Sequence, residues 1–362
     1  MRKKNILLIT GGTGGHVIPA VNFGNYLIKK KYNCTLLTDK RGFKYVSEFK
    51  GKIIKIHSYH LGYSLSDKIN FILKFVVGFF QSFFVLLFNR PDKCLAFGGY
   101  ATFNPLAILL LFKLLGLTEI YLHEQNSVLG YVNSIFLKFS KKLFLNFKNT
   151  RNIDRKYKSK IIYTGFSNNY ISNKLNRSLK IKNKKNKTIF ILGGSQGAVN
   201  LNTKICKILS SLKKVERLKL KVFIQCPSNQ NNQISKILEK SNIKFVLKNY
   251  FKNIHKKLLS SDIVISRSGA GIINDIIVTN TPTIFVPLPI SSKNHQYYNA
   301  EFLKNKNCAI IINENNLIKK NAFIKIRNFI KNTNLQVKLI KNLQSIEIFD
   351  TNKIILNEMN IK

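Results

Sequence analysis

The chain has 362 residues, with 60 Lys and Arg against 16 Asp and Glu, a formal net charge of +44. At 45% hydrophobic and 11% aromatic it can bury cores, which excludes a disordered basic tail. Its length points to two domains of roughly 100–200 residues each. Five cysteines (Cys34, Cys94, Cys206, Cys226 and Cys308) show no CxxC spacing, which argues against a zinc ribbon or a disulfide framework and favours a reducing compartment. Met1–Thr10 runs into a glycine cluster instead of a long apolar segment, so no signal peptide is read.

The apolar runs alternate with helical patterns, the grammar of a βαβ chain and a parallel sheet. In the first half they fall at Asn5–Thr10, Cys34–Thr38, Ile53–Ile56, Lys93–Phe97, Glu119–Leu122 and Leu143–Leu145. In the second they fall at Thr188–Leu192, Lys219–Gln225, Lys244–Leu247, Asp262–Ser266, Thr283–Val286 and Cys308–Ile312. Between them Asn173–Lys187 is polar and basic without an apolar period, an exposed connection. Leu335–Lys362 mixes apolar and basic positions in a helix-compatible way. The expected architecture is α/β, two Rossmann-like domains with parallel sheets facing across a cleft. The first is expected over residues 1–163, and residues 341–362 are expected to pack back on it. The second is expected over residues 164–340.

Each half opens with a strand and then Gly-Gly-[Ser/Thr]-x-Gly, at Gly11–Gly15 and Gly193–Gly197. Such a turn lets backbone N–H groups approach an anion at a helix N-terminus. The alternative is a tight turn that serves packing alone. The dinucleotide fingerprint is absent, because Val17 stands where its third glycine is required, and no Gly-Lys-[Ser/Thr] completes a P-loop. Asp39, at the end of the second run, reads as an ordinary turn residue. Further polar or glycine-rich segments follow strands at Ala96–Pro105, Leu122–Gly130, Ser266–Asp275 and Pro287–Phe302, the positions at which doubly wound sheets bind ligands.

GGTGGHVIPA, FGGY, HEQN, GGSQGA, SRSGA and NHQYYNA occur in the order found in the MurG family, and the similarity runs from about Asn5 to Leu303. The resemblance implies a GT-B fold. It also implies inverting transfer of N-acetylglucosamine from UDP-GlcNAc to undecaprenyl-diphospho-muramoyl-pentapeptide, the conversion of lipid I to lipid II at the cytoplasmic face of the inner membrane. Carried over by residue, Thr13, Gly14, Gly15 and Asn126 would line the donor site from the first domain. Ser195 would approach the UDP diphosphate beside the helix opened by Ser268, Gly269 and Ala270. Gln296, with Asn299 nearby, would contact the sugar, and the backbone of Phe251 would face the uracil. Two departures stand out. Asn169 occupies the place of a donor-contacting Arg, and Asp275 replaces the Glu expected on the ribose hydroxyls.

Inverting transfer needs a base for the acceptor hydroxyl and cationic or N–H groups for the leaving diphosphate. His16, directly after the first glycine loop, is the first choice for the base, with Glu124 of the His123-Glu124 strand end as its rival. A structural role, tying a loop by hydrogen bonds, is the alternative for either. No DxD-like pair flanks the glycine loops, so catalysis without a metal or other cofactor is expected. Another UDP-sugar enzyme of the same fold, a glycolipid transferase or an epimerase, is the nearest alternative function. A non-catalytic basic membrane-binding protein is the alternative of a different class.

The charge itself has two readings: an anionic partner, or a lysine- and asparagine-rich background spread over solvated faces. No helix-turn-helix, zinc-finger or RNP-type pattern accompanies it, so nucleic acid is not an expected partner. Ile69–Phe88 is 20 residues long and almost wholly apolar, enough to span about 30 Å of hydrocarbon, but Lys74 and Gln81 interrupt it. It is either a buried crossover helix or a membrane-touching one, and Pro105–Leu117 is a second apolar helix, too short to span. With Lys68, Lys74, Arg90 and Lys113 around them, these segments are the expected contact with an anionic membrane surface.

Overall fold

The computed structural model describes residues 4–58, 65–167 and 186–361. The chain divides into two units, Met1–Asn169 with Phe349–Lys362, and Tyr170–Ile348. In the first unit β1 (Asn5–Ile9), α1 (Gly14–Lys29), β2 (Asn33–Asp39), β3 (Lys52–Ile56), α2 (Leu65–Asn89), β4 (Lys93–Ala96) and α3 (Phe103–Leu114) follow one another. Next come β5 (Glu119–Glu124), α4 (Tyr131–Phe136), β6 (Lys142–Leu145), β7 (Ile161–Tyr163) and the short β8 (Phe166–Ser167). Seven strands lie in the order β3-β2-β1-β4-β5-β6-β7, with every pair parallel. The order reverses between β1 and β4, so the crevice of a doubly wound sheet opens at the carboxyl ends of those two strands.

The strands read as continuous apolar runs because both faces of the sheet are covered. Ile6, Leu8, Leu36 and Leu95 face Val17, Phe23 and Leu27 of α1. Leu7, Ile9, Leu37 and Leu122 face Leu86 of α2, Leu106 and Leu109 of α3, and Phe136 of α4. Among the described residues no helix is long and apolar enough to cross a membrane. Instead α2 is two-faced. Gly78, Ser82 and Leu86 are buried, whereas Leu73, Val76, Val77, Phe80, Phe84 and Phe88 form an exposed stripe at helical spacing. Leu111, Leu114, Leu115 and Leu117, at the end of α3 and just beyond it, are exposed as well.

The second unit repeats the plan with β9 (Lys187–Leu192), α5 (Gly194–Ser210), α6 (Lys214–Arg217), β10 (Leu220–Gln225), α7 (Asn231–Glu239), β11 (Lys244–Lys248) and α8 (Ile254–Ser260). It continues through β12 (Ile263–Ser266), α9 (Ala270–Thr279), β13 (Thr283–Phe285), α10 (His295–Asn305), β14 (Ile310–Ile311), α11 (Lys320–Lys331) and α12 (Thr333–Gln344). Its parallel sheet runs β11-β10-β9-β12-β13-β14, which puts the reversal between β9 and β12. The Gly193–Gly197 and Ser266–Ala270 segments follow those two strands. All twelve apolar runs read from the sequence are strands; β7, β8 and the later β15 are additional.

After β15 (Ile348–Phe349) the chain re-enters the first unit and ends in α13 (Thr351–Glu358). The returning segment therefore starts at Phe349, and α12 stays with the second core through Leu339. Phe349 packs edge-on against Tyr163 and so close to Gly165 (φ +69°) that a Cβ there would lie 2.2 Å from its ring. Thr351 Oγ1 donates to the carbonyl of Thr164 at 3.1 Å, Glu358 pairs with Lys142, and Ile355 and Met359 complete the core beneath α1.

Glu119, opening β5, pairs with Lys93 and Lys141 and accepts a hydrogen bond from Tyr121 at 2.7 Å. Burial works against its charge, but the Lys141, Lys93 and Tyr121 partners prevail and hold the carboxyl at about 2. A free glutamate titrates near about 4.3, so this stabilisation is complete above roughly pH 5 and fades as pH falls toward 2. The Glu119 side chain is 36% exposed, and solvent screening leaves on the order of 1 kcal/mol, about 2–4 °C in Tm. Glu119→Gln is expected to melt lower by that amount at pH 7, and in thermal melts the gap should roughly halve by about pH 3.

Candidate active site

At the first reversal point the turn after β1 and the turn after β4 nearly touch. A Cβ on Gly11 would sit 2.4 Å from Cβ of Ala101, and one on Gly99 would sit 3.2 Å from the Gly11 carbonyl oxygen. Gly12 (φ +81°) turns the chain into α1. Asp39, at the end of β2, holds this turn. Its Oδ1 accepts from the Gly12 N–H at 2.9 Å and the Gly42 N–H at 2.8 Å, and its Oδ2 accepts from Ser58 Oγ and Arg41 Nε. Burial opposes its ionisation, but those four donors outweigh burial and keep the carboxyl below its ordinary range. Asp39 is thus a clamp on the glycine turn, where the sequence alone reads an ordinary turn residue.

Thr13 caps α1 in an extended conformation without a side-chain bond, and the first turn, Gly14–Gly15–His16, carries no acidic residue. The carboxylate nearest this helix end in the turn, Asp39, is bound to the Gly12 N–H just before it and lies outside the first turn itself. His16 is half-buried, and its Nδ1 lies 2.8 Å from the carbonyl oxygen of Phe97 and 2.8 Å from Oε1 of Gln125. Both partners accept, so Nδ1 bears the proton and a neutral ring keeps its lone pair on Nε2.

The HEQN segment closes β5 beside it. Glu124 is 1% exposed and receives four N–H donors: Asn126 N and Nδ2 at 3.1 and 3.2 Å on Oε1, and Gly130 N and Asn133 Nδ2, each at 2.9 Å, on Oε2. Asn126 is half-buried and tied to that carboxylate. His123 is 2% exposed; burial, then the neighbouring His16, pulls it down to about 3, so it is neutral.

In the second unit α9 begins at Gly269 (φ −62°, ψ 153°) with no side-chain cap and no acidic residue in its first turn. A Cβ on Gly269 or Gly271 would meet nothing within 4 Å, so open space faces this helix end. Ser268 is buried; its Oγ donates to the Gln296 carbonyl at 2.8 Å, and Asn299 Nδ2 donates to the Ser268 carbonyl at 3.1 Å. Gln296 Oε1 accepts from the Leu288 N–H at 3.1 Å and the Ser268 N–H at 3.4 Å, leaving Nε2 outside these bonds. Ser268, Gly269, Ala270 and Gln296 are therefore one cluster. Asp275 lies further along α9, where His255 of α8 approaches its Oδ1 through Nε2 at 2.9 Å. The Phe251 ring packs edge-on against Phe190 of β9, with centroids 5.0 Å apart. Ser195 lies in the first turn of α5, which starts after Gly193 without a side-chain cap. Asn169 lies outside the described residues.

Sequence reasoning singled out neither Gln125 nor His255. Each stands beside a chosen residue, on the same strand end or on the preceding helix, and only tertiary contact gives it a partner.

The chain matches the glycosyltransferase family 28 N-terminal domain over residues 6–145 and the family 28 C-terminal domain over residues 188–346. It is 33% identical over 343 residues to the UDP-N-acetylglucosamine--N-acetylmuramyl-(pentapeptide) pyrophosphoryl-undecaprenol N-acetylglucosamine transferase of Rickettsia bellii, with 94% of each chain covered. It is 34% identical over 342 residues to the enzyme of the same name from Rickettsia canadensis, again with 94% of each covered. Its fold is similar to that of Acinetobacter baumannii MurG, with a TM-score of 0.77, 21% identity, and 98% of this chain and 99% of that chain covered. With both family domains present in order and relatives matched along nearly their whole length, the chain belongs to glycosyltransferase family 28 and, within it, to the MurG N-acetylglucosaminyltransferases.

Proposed function

We infer that the chain transfers N-acetylglucosamine from UDP-GlcNAc to the muramoyl sugar of undecaprenyl-diphospho-muramoyl-pentapeptide, making lipid II from lipid I. The observation that carries this reading is the match, over 94% of both chains, to enzymes named for that transfer. Incubation with UDP-GlcNAc and a lipid I analogue tests it: a disaccharide product is expected, and another UDP product or none would overturn it.

In this reading His16 Nε2 takes the proton from the acceptor hydroxyl as the oxygen bonds to the anomeric carbon. The bond from that carbon to the diphosphate breaks on the opposite side, and its electron pair leaves with UDP, which inverts the centre. The first-turn N–H groups of α9 and α5, near Ser268, Gly269, Ala270 and Ser195, take the developing diphosphate charge. Thr13, Gly14, Gly15 and Asn126 are assigned to the donor and the Phe251 backbone to the uracil, and Asn169 stands at the position where the family motif has an Arg. Glu124, with both oxygens occupied by four N–H donors, is assigned to holding the loop. His16→Ala is expected to lower turnover by about 10²–10⁴-fold with UDP affinity nearly unchanged. Near-normal turnover would remove His16 from the role.

Asp275, with His255 fixing its carboxylate, is assigned to the ribose hydroxyls, and Gln296 to the sugar through Nε2. Losing a hydrogen bond to a charged group costs about 1.5–3 kcal/mol. Asp275→Ala is therefore expected to raise KM for UDP-GlcNAc by about 10-fold or more with kcat little changed in steady-state kinetics.

The acceptor's lipid tail requires a bilayer nearby, and the exposed stripe of α2 with the end of α3 supplies an apolar contact. Phe88 and Leu114 are 82% and 83% exposed, the exposed Lys74 and Lys113 lie on the same two helices and Arg90 directly follows α2, and each basic residue near anionic lipid contributes about 1 kcal/mol. The stripe supports a reading of peripheral attachment to the cytoplasmic face of the inner membrane. Vesicles containing anionic lipid are expected to retain the protein, less so as salt rises. Phe88→Glu with Leu114→Glu should release it while turnover on a water-soluble acceptor analogue persists; equal binding to neutral vesicles would contradict this attachment.

A further inference from the structure

His16, Gln125 and His123 form a line of hydrogen bonds in which each direction fixes the next. The Phe97 carbonyl, 2.8 Å from His16 Nδ1, can only accept, so Nδ1 carries a proton. Gln125, also 2.8 Å from that nitrogen, must then present Oε1 to it. Its amide nitrogen therefore faces the other way, 2.8 Å from Nδ1 of His123. An amide nitrogen can only donate, so His123 Nδ1 is bare and its proton sits on Nε2. Reversing the Gln125 amide would set an NH2 group against the protonated Nδ1 of His16, and the arrangement is self-consistent in one sense only.

His123 is the fixed end of this line. It is 2% exposed and packs against the Phe97 ring at 5.1 Å, and its neutrality near pH 7 keeps Nδ1 an acceptor. The nearby carboxylates are committed elsewhere: Glu124 to Asn126, Gly130 and Asn133, and Asp39 to Gly12, Gly42, Ser58 and Arg41. No proton needs to travel along the line, because the Gln125 amide does not release one. It differs in this from a triad whose third member is a carboxylate.

We propose that Gln125, oriented by neutral His123, is a positioning residue that holds the His16 ring and keeps its proton on Nδ1, so that Nε2 meets the acceptor as a lone pair. This rests on the reading of His16 as the base. When Nε2 takes the acceptor proton, the charge on the ring strengthens the Nδ1–H bonds to Phe97 O and Gln125 Oε1 during the transfer itself. With Phe97 alone, the ring keeps one acceptor and loses the side chain that fixes its rotation.

The test uses the full chain labelled with 15N-histidine, with ring tautomers read by two-bond proton–nitrogen correlation near pH 7 and signals assigned from single-histidine variants. His16 is expected as the Nδ1–H form and His123 as the Nε2–H form. Gln125→Met, similar in length but without the amide, is expected to lower kcat by about 10–100-fold, with KM for both substrates within about twofold and UDP affinity unchanged. Gln125→Glu retains an acceptor but adds charge, and is expected to regain turnover as pH rises from about 7 to about 9, which Gln125→Met does not. The proposal is overturned by a His16 proton on Nε2 in the unaltered chain, or by unchanged kcat in Gln125→Met. It is equally overturned if both variants lose turnover in step with melting temperature and without the pH difference. His16→Ala, measured alongside, separates the two readings. If His16→Ala retains turnover, the base assignment falls whatever the tautomers; if it abolishes turnover while Gln125→Met does not, the base stands and the positioning role falls.

Discussion

The site in the first unit exists because two strand ends are packed too closely for side chains. At the reversal between β1 and β4 the sheet must send one turn to each face, and Gly11 has no room for a Cβ against Ala101. Close approach at such a point is what brings the head of α1 next to the carboxyl end of β5, and with it His16 next to Gln125. Asp39 turns this proximity into a fixed geometry by taking the N–H groups of Gly12 and Gly42 on one oxygen. A glycine turn without that carboxylate would have the conformational freedom of glycine and the entropy cost that goes with it.

The second unit solves the corresponding problem differently. In front of α9 the glycines face open space, and what is fixed is the loop before the helix, by Ser268, Gln296 and Asn299. One reversal point is closed and holds an imidazole; the other is open and presents a helix end. The sequence repeats Gly-Gly-[Ser/Thr]-x-Gly in both halves, but the repeat describes the turn, and the chemistry comes from the residue types that tertiary packing brings beside it.

That contrast also marks how far the sequence could be read. The twelve apolar runs became strands because a parallel sheet buried on both faces leaves an unbroken hydrophobic signal. The strands β7, β8 and β15 have three residues or fewer, as do β13 and β14, but only the latter two sit in the longer apolar runs Thr283–Val286 and Cys308–Ile312; the others depend on contacts such as Phe349 on Gly165. His16 was visible as a chemistry-bearing type directly after the first glycine loop, and Glu124 as one at a strand end. Their difference was not, because it lies in who donates to whom: Glu124 is surrounded by N–H donors and His16 Nδ1 by carbonyl oxygens. Gln125 and His255 carry no signal of their own until a partner is placed beside them. In Ile69–Phe88 composition alone leaves a buried and a membrane-touching helix equally open, since hydropathy averages over faces. The structure gives α2 one buried face and one exposed apolar face.

The net charge of +44 sits apart from all of this. At α9 the first turn is Ala270, Gly271 and Ile272, so the helix end that faces open space presents backbone N–H groups and no charged side chain. At α1 the first turn is likewise two glycines and a histidine. Lysine can therefore accumulate over solvated faces without entering either helix end. Where the excess charge can matter is beside the apolar stripe of α2, because a basic residue near a low-dielectric surface acts over a short range that solvent screens elsewhere. A lysine-rich background thus leaves the two uncapped helix ends free of side-chain charge and sets basic residues beside the exposed apolar stripe of α2.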